Sequence, residues 1–403
     1  MAERGRVGPW LLVLALSLGP AVSNGFARFA YGLILPAMQT DLAWTYTQAG
    51  WINTANALGY LVGALFALAT IQRFGAKALF MGGMVLTAVT LTLSGLTTDF
   101  WLLSTWRILA GIGGAPVFIA GAALASAQFR ENPSRNTMAI AAYFGGGGVG
   151  MLVSGLTLPM LLERFGAESW QAAWLVLGLA SSLAAVFSLA CVRNAAGPKQ
   201  PSEPAPGANS LPVRAMLPEL SGYTLFAVGH IVYLTFLVAW MTADGADALL
   251  VSTVWGLMSL MVIVSPFLWR PVMAAYAGGT PQALSCLVIG TAMLLPLVVD
   301  GVAALLISAA LFGSAVFMPP ASITSFSRMN LSPELWGRSI ALFTVLFSIG
   351  QTIGPIAAGA IGDATGGVAN GLFAAAIVLL LAAAISAFQS PLRAVPGAER
   401  LKG

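Results

Sequence analysis

The sequence predicts an all-α membrane protein of twelve transmembrane helices, arranged as two six-helix bundles with both termini on the cytoplasmic side. Three observations carry that expectation. Of 403 residues, 58% are hydrophobic and only 8% charged, with a mean hydropathy of +0.87, whereas soluble domains carry about 25% charged residues. The 18 basic and 14 acidic side chains gather between long uncharged runs. The longest polar connection falls near the middle. A transmembrane helix needs about 20 apolar residues, so the length fits twelve spans with short loops and leaves no room for a soluble catalytic domain.

The first apolar run, 10–38, follows Arg4 and Arg6. It begins like a cleavable signal peptide, but the apolar character continues through Phe26 to Met38, and cleavage after Ala21-Val22-Ser23 would leave Arg28 near a new terminus. It is therefore read as a span. Runs at 46–70, 78–96, 101–126, 137–160 and 171–192 complete the first six, each bounded by charge, Pro or Gly clusters. The second six lie at 219–243, 248–269, 283–299, 302–327, 338–361 and 370–390. Stretches such as Trp174 to Ala190 are apolar on all sides rather than alternating, which excludes barrel strands. Trp10, Trp44, Trp101, Trp170 and Trp240 fall near span ends and read as interfacial anchors.

Residues 193–218, with Pro198, Pro201, Pro204, Pro206 and Pro212, read as a flexible cytoplasmic linker. It divides an N-terminal bundle, 1–192, from a C-terminal one, 219–403. Basic residues are retained on the cytoplasmic side during insertion. With the N-terminus inside, Arg4, Arg6, Arg73, Lys77, Arg130, Arg135, Arg193, Lys199, Arg214, Arg270, Arg328, Arg338, Arg393, Arg400 and Lys402 all face the cytoplasm, 15 of the 18. Arg164 lies outside, and Arg28 and Arg107 fall within spans. All six Asp residues land on the opposite face. The net charge of +4 is thus a topology signal, and no nucleic-acid partner is inferred from it. Cys191 and Cys286 lie far apart in apolar stretches and the chain has one histidine, so no disulfide framework, metal cluster or cofactor is expected.

The halves carry an internal repeat. Gly146, Gly150 and Gly155 in the fifth span precede Gly350, Gly354 and Gly359 in the eleventh by 204 residues each. The same offset pairs Gly25 with Gly229 and Pro116 with Pro320. Similar bundles of this kind place a substrate site near mid-membrane between halves that rock against each other.

Four segments stand out: Arg28 to Met38 (RFAYGLILPAM), Tyr46 to Tyr60 (YTQAGWINTANALGY), Arg107 to Ala115 (RILAGIGGA) and Gly350 to Pro355 (GQTIGP). With them the chain resembles the major facilitator superfamily, and in particular its bacterial YbfB/YjiJ group. The resemblance implies a multi-pass transporter of the bacterial inner membrane working by alternating access. Its loop motif after the second span corresponds to Leu68 to Lys77, which keeps Arg73, Gly75 and Lys77 but has Leu68 and Gln72 where Gly and Asp are usual. That departure puts the usual charge latch in doubt. Arg73, Gly75, Lys77, Gly150, Gly354 and Pro355 are the gating or structural candidates.

Charges inside the membrane define the candidate site. Arg28 lies ten residues before Met38, or about 15 Å along a helix. Burying arginine there costs about 2.5–3.5 kcal/mol on insertion scales, so it faces a wet cavity or a partner. Helical spacing puts Asn24 and Tyr31 on its face. Arg107 lies nearer the outer surface. His230 returns to mid-depth in the seventh span, with Tyr233 and Phe226 on its face. Asn53, Asn56 and Tyr60 form a stripe on the second span. Tyr143, Trp255 and Gln351 complete the substrate-binding candidates. Structural roles remain open for Arg28, Arg107 and His230, and the Asn stripe reads equally well as glue between helices.

No Asp or Glu occupies the middle of a predicted span; Glu219 lies at a boundary. Intramembrane arginines without an acidic neighbour favour a small organic anion, since guanidinium binds carboxylate in a bidentate way. Proton coupling would run through His230 or through the substrate's own carboxyl group. Efflux of amphipathic drugs or metabolites is the alternative, motivated by 21 Phe, 15 Met and 11 Trp. An intramembrane enzyme is not expected, because no metal cluster and no Ser/His pair stands at a suitable depth.

Overall fold

The computed structural model describes residues 8–129, 131–193 and 211–392, and every regular element among them is helical. Most of the expected linker and the basic residues Arg4, Arg6, Arg130, Lys199, Arg393, Arg400 and Lys402 lie outside the described residues. The first span is built from α1 (Pro9–Pro20), a π-helical segment (Ala21–Phe29) and α2 (Tyr31–Leu42). Four long helices follow: α3 (Tyr46–Ser94), α4 (Phe100–Ser126), α5 (Pro133–Phe165) and α6 (Trp170–Val192). Beyond the polar connection come α7 (Leu217–Ala243), α8 (Ala248–Ala275), α9 (Thr280–Val298), α10 (Val302–Ala315), α11 (Met318–Asn330), α12 (Pro333–Thr365) and α13 (Ala369–Ala387).

Among the described residues, 11 helical segments are long and apolar enough to cross a membrane. One of them, α3, runs for 49 residues across the gap expected between two spans. At 1.5 Å per residue it measures about 74 Å, more than twice the roughly 30 Å of hydrocarbon in a bilayer. It is broken at Gly75, whose φ of 80° and ψ of 154° are not helical. A Cβ there would meet no neighbouring atom, so the requirement for glycine is one of backbone conformation alone. Gly75→Ala is expected to cost about 1–3 kcal/mol, read as a lowered midpoint in thermal unfolding of the purified protein.

Other breaks have equally local causes. Pro319 and Pro320 supply no backbone N–H, and the tenth expected span divides between α10 and α11 at Val316-Phe317. Pro20 sits where the first span widens into its π turn, followed by helix-poor Ser23, Asn24 and Gly25. Thr45, Asp99, Asn132 and Asp247 cap the helices that follow them through their side-chain oxygens. The Asn132 cap, with Pro133 behind it, starts α5 four residues earlier than expected.

Apolar side chains on the outside complete the picture. Leu179, Leu183 and Val186 recur at helical spacing on α6 and are exposed, the pattern of a helix facing lipid rather than water. Inside, contact is made by small residues. A Cβ on Gly146 or Gly150 would strike the carbonyls of Ser17 or Ala21 in the first span. A Cβ on Gly350 or Gly354 would strike those of Thr224 or Val228 in α7. The repeated glycines therefore do the same work twice, seating α5 on the first span and α12 on α7. The third of each set faces the other half of the chain: Gly155 meets Trp255 of α8, and Gly359 meets Tyr46 of α3.

Candidate functional site

The guanidinium of Arg28 sits where the two halves meet. The π turn carries it at its penultimate position, and its side chain is buried. Arg28 Nη2 donates to Gln351 Oε1 on α12. Gln351 Nε2 in turn lies 3.3 Å from His230 Nε2 on α7, and His230 Nδ1 lies 2.8 Å from the Phe226 carbonyl. The imidazole stacks on Phe226, at 4.3 Å, and lies 5.5 Å from Phe347, whose ring is itself 6.0 Å from that of Phe226. Tyr60 closes the other side of Arg28, its ring 5.2 Å from the guanidinium carbon. Arg28 Nε has no hydrogen-bond partner. The acceptor that this cation holds is thus a neutral amide, and the strongest electrostatic feature of the junction is uncompensated positive charge.

Other expected residues are placed differently. Tyr31 does not share Arg28's surroundings: its hydroxyl donates to the Ala49 carbonyl at 2.7 Å, and its ring lies 5.6 Å from the Arg107 guanidinium carbon. The π turn is the reason, because a wider winding puts residues three apart out of the α-helical register. Arg107 is buried within the first half, 4.9 Å from the Trp174 ring, and none of its three guanidinium nitrogens has a hydrogen-bond partner. Asn56 donates to the Arg107 carbonyl at 3.1 Å, joining α3 to α4. Tyr143 donates to the Val117 carbonyl at 2.9 Å. Tyr233 pairs with Ser308 at 2.6 Å inside the second half. Asn24 and Trp255 are buried, and the Trp255 ring packs against Gly155. Asn53 does cross between halves, donating to Thr235 Oγ1 at 2.5 Å.

The remaining cross-half bonds lie toward one end of the molecule. Asp363, near the end of α12, accepts from the backbone N–H groups of Tyr46 and Thr47 at 2.7 and 2.9 Å and from the Thr47 hydroxyl at 2.5 Å. It caps the N-terminus of α3, where unpaired N–H groups and the helix dipole favour an anion. Thr54 donates to the Thr352 carbonyl at 2.9 Å one step deeper, and Gly50 abuts the carbonyl of Pro355. Arg73 lies over Phe74, 5.5 Å from its ring, and Lys77 is half-buried beyond the Gly75 break.

Two of these features escaped sequence reasoning. Asp363 was legible only as a marker of topology, since its partners are more than 300 residues away. Glu219, taken as a boundary residue, is fully buried in α7 with neither carboxyl oxygen partnered; an acidic residue just inside an apolar run was its only sequence signal.

Solved structures share this architecture. A bacterial homolog to the human lysosomal transporter Spinster, in an inward-facing and unoccupied conformation, superposes with a TM-score of 0.72 over 94% of this chain and 96% of its own, at 16% identity. A POT family transporter in complex with 5-aminolevulinic acid gives 0.73 over 92% and 94%, at 13% identity. At these identities the likeness is one of fold. A helical bundle with lipid-facing sides is, on this fold, a multi-pass membrane protein. Over residues 20–387 the sequence matches the family described as "Uncharacterised MFS-type transporter YbfB", and the chain belongs to that family. It is 26% identical to the MFS-type transporter YceJ of Bacillus subtilis over 55% of this chain and 56% of that one. It is 31% identical to the 4-hydroxybenzoate transporter PcaK of Acinetobacter baylyi over 42% and 36%. The matches thus span about a third to just over half of these relatives' lengths.

Proposed function

We propose that this transporter moves a small carboxylate-bearing metabolite across the bacterial inner membrane by alternating access, holding the anion at Arg28 between two six-helix bundles. One observation carries the reading: a guanidinium buried where the halves meet, satisfied only by an amide that an incoming carboxylate can displace. A carboxylate offers two oxygens to the guanidinium fork and a full opposing charge. The names of partial relatives support the class, since 4-hydroxybenzoate, sialic acid and niacin are all carboxylates.

The bundles are residues 1–192 and 219–403, joined by the linker 193–218 and with both termini in the cytoplasm. Taking α3 as two crossings on either side of Gly75 brings the count to twelve. The basic-residue distribution puts Tyr46 and Asp363 on the outer side. Cross-half bonds run from that end to the depth of Arg28, so the conformation is closed outside and the path to Arg28 leads from the cytoplasm. Protons enter through His230, joined to Arg28 by Gln351.

Reconstituted vesicles test this reading. Labelled monocarboxylates, dicarboxylates and aromatic acids are offered in counterflow, and at least one acid is expected to exchange in a manner that depends on Arg28. Export of amphipathic drugs with no acid flux would overturn the substrate class.

A further inference from the structure

The hydrogen bonds running from Arg28 to Phe226 have only one consistent polarity. A guanidinium only donates, so the Gln351 oxygen faces Arg28 and its NH2 faces His230. The Phe226 carbonyl only accepts, so His230 carries its proton on Nδ1 and accepts from Gln351 through Nε2. A second proton converts Nε2 into a donor. It would then oppose the Gln351 NH2, and the amide satisfies the charged ring only by turning over. In the turned position its NH2 points at Arg28, and the guanidinium loses its acceptor.

We propose that Gln351 is the coupling residue of this transporter: its amide turns over when His230 is protonated and thereby releases Arg28 to take the substrate carboxylate. The inference rests on the reading of Arg28 as the anion site and adds the route by which proton and anion load together. Gln351 acts through its neighbours and is a positioning residue. By linkage, an anion that draws Arg28 away from the amide oxygen favours the proton on His230 by the same factor.

The surroundings of the ring leave this route unobstructed. The charged group acting on His230 is Arg28, from the first span. From α12 the ring meets Gln351 and Phe347, both uncharged. No titratable side chain occurs in α13, and α9 carries only Cys286. In α2, Tyr31 is bonded to Ala49 and Asp41 to Trp170, while Arg328 of α11 lies over Trp336. On α7 itself, Tyr223 is separated from the ring by Phe226, Tyr233 is bonded to Ser308, and Glu219 lies eleven residues away.

The single histidine makes the test direct. Imidazole 15N labelling of the full-length protein, with any affinity tag removed, yields signals from His230 alone that report tautomer and protonation. In the neutral ring the proton is expected on Nδ1; finding it on Nε2 would overturn the proposal without any variant being made. Arg28→Met is expected to move the pH midpoint of those signals by about one unit, tenfold in proton affinity. In a Gln351→Leu background, or Gln351→Met if leucine is not tolerated, the same Arg28→Met change is expected to lose most of that effect. An undiminished shift would show that Arg28 acts on the ring through space, and the turning amide would be discarded. No ligand is added, so these outcomes are independent of the acid-flux assay. Acid flux through Arg28 together with an undiminished shift would retain the substrate reading and reject the coupling.

Discussion

Arg28→Ala is expected to lower carboxylate flux at least about thirtyfold while leaving the protein folded in the membrane. Truncating one partner of a buried, hydrogen-bonded charge pair costs about 2–5 kcal/mol, and each 1.4 kcal/mol is tenfold in binding. Tyr60 and Phe29 lose a cation–π contact, but the rings of Phe226, His230 and Phe347 pack on one another without the guanidinium. What is lost is the fork of donors and its charge. Arg28→Lys is expected to recover only part of the flux, since an ammonium supplies charge without the planar pair of N–H groups. Vesicle counterflow measures both, with thermal unfolding of each variant as the control for folding. Unchanged acid flux in a folded Arg28→Ala protein would remove the guanidinium from the substrate site.

Asp363→Ala is expected to loosen the contact between α12 and the start of α3. Three hydrogen bonds to one carboxylate hold α12 against the first turn of α3, and bonds to charged groups contribute about 1.5–3 kcal/mol each. Two of the donors are backbone amides, so the effect can be read where it arises. Hydrogen exchange at Tyr46 and Thr47 is expected to quicken about ten- to a hundredfold if only one such bond's worth of closure is lost. Thr45 and Gln48 retain their reciprocal cap, so fraying of α3 itself is limited. Exchange that stays slow at both amides would mean that glycine contacts such as Gly50 on Pro355 and Gly359 on Tyr46 carry the closure unaided. Gln72 stands where relatives of the wider superfamily place an acid, whereas Asp363 makes a charge-to-helix-end contact at the N-terminus of α3.

Much of the fold was legible because lipid leaves few alternatives. A bilayer demands long uncharged helices, and their positions emerged from the spacing of charge, with α8 and α5 extending beyond the expected ends because helix caps and continued winding do not stop at the hydrocarbon boundary. The repeat offset was also legible, since close helix contact admits only glycine at fixed intervals. Arg28 stood out by the cost of its burial. Gln351 was a candidate by its span, but its pairing with Arg28 was not legible, because the two lie 323 residues apart. Tyr31 was grouped with Arg28 by assuming an α-helical winding, and the π turn that redirects it has no periodic signature. Arg107 shows the complementary difficulty, because a buried cation reads the same from sequence whether it faces an opening or, as here, the aromatic rings of Tyr31 and Trp174.

The wide turn at Ala21–Phe29 has a consequence for motion. A helix wound loosely over nine residues holds surplus chain, much as a carpet holds a ruck. Sliding that ruck by one position swings the residue it passes about 100° around the axis, the angle of a single residue in α winding, while both flanks stay where they are. Arg28 stands next to the last residue of the slack. Its head group can therefore be dialled off Gln351 by a ripple in the backbone, with Leu12 and Leu16 on one side and Ile34 and Met38 on the other undisturbed in their seats.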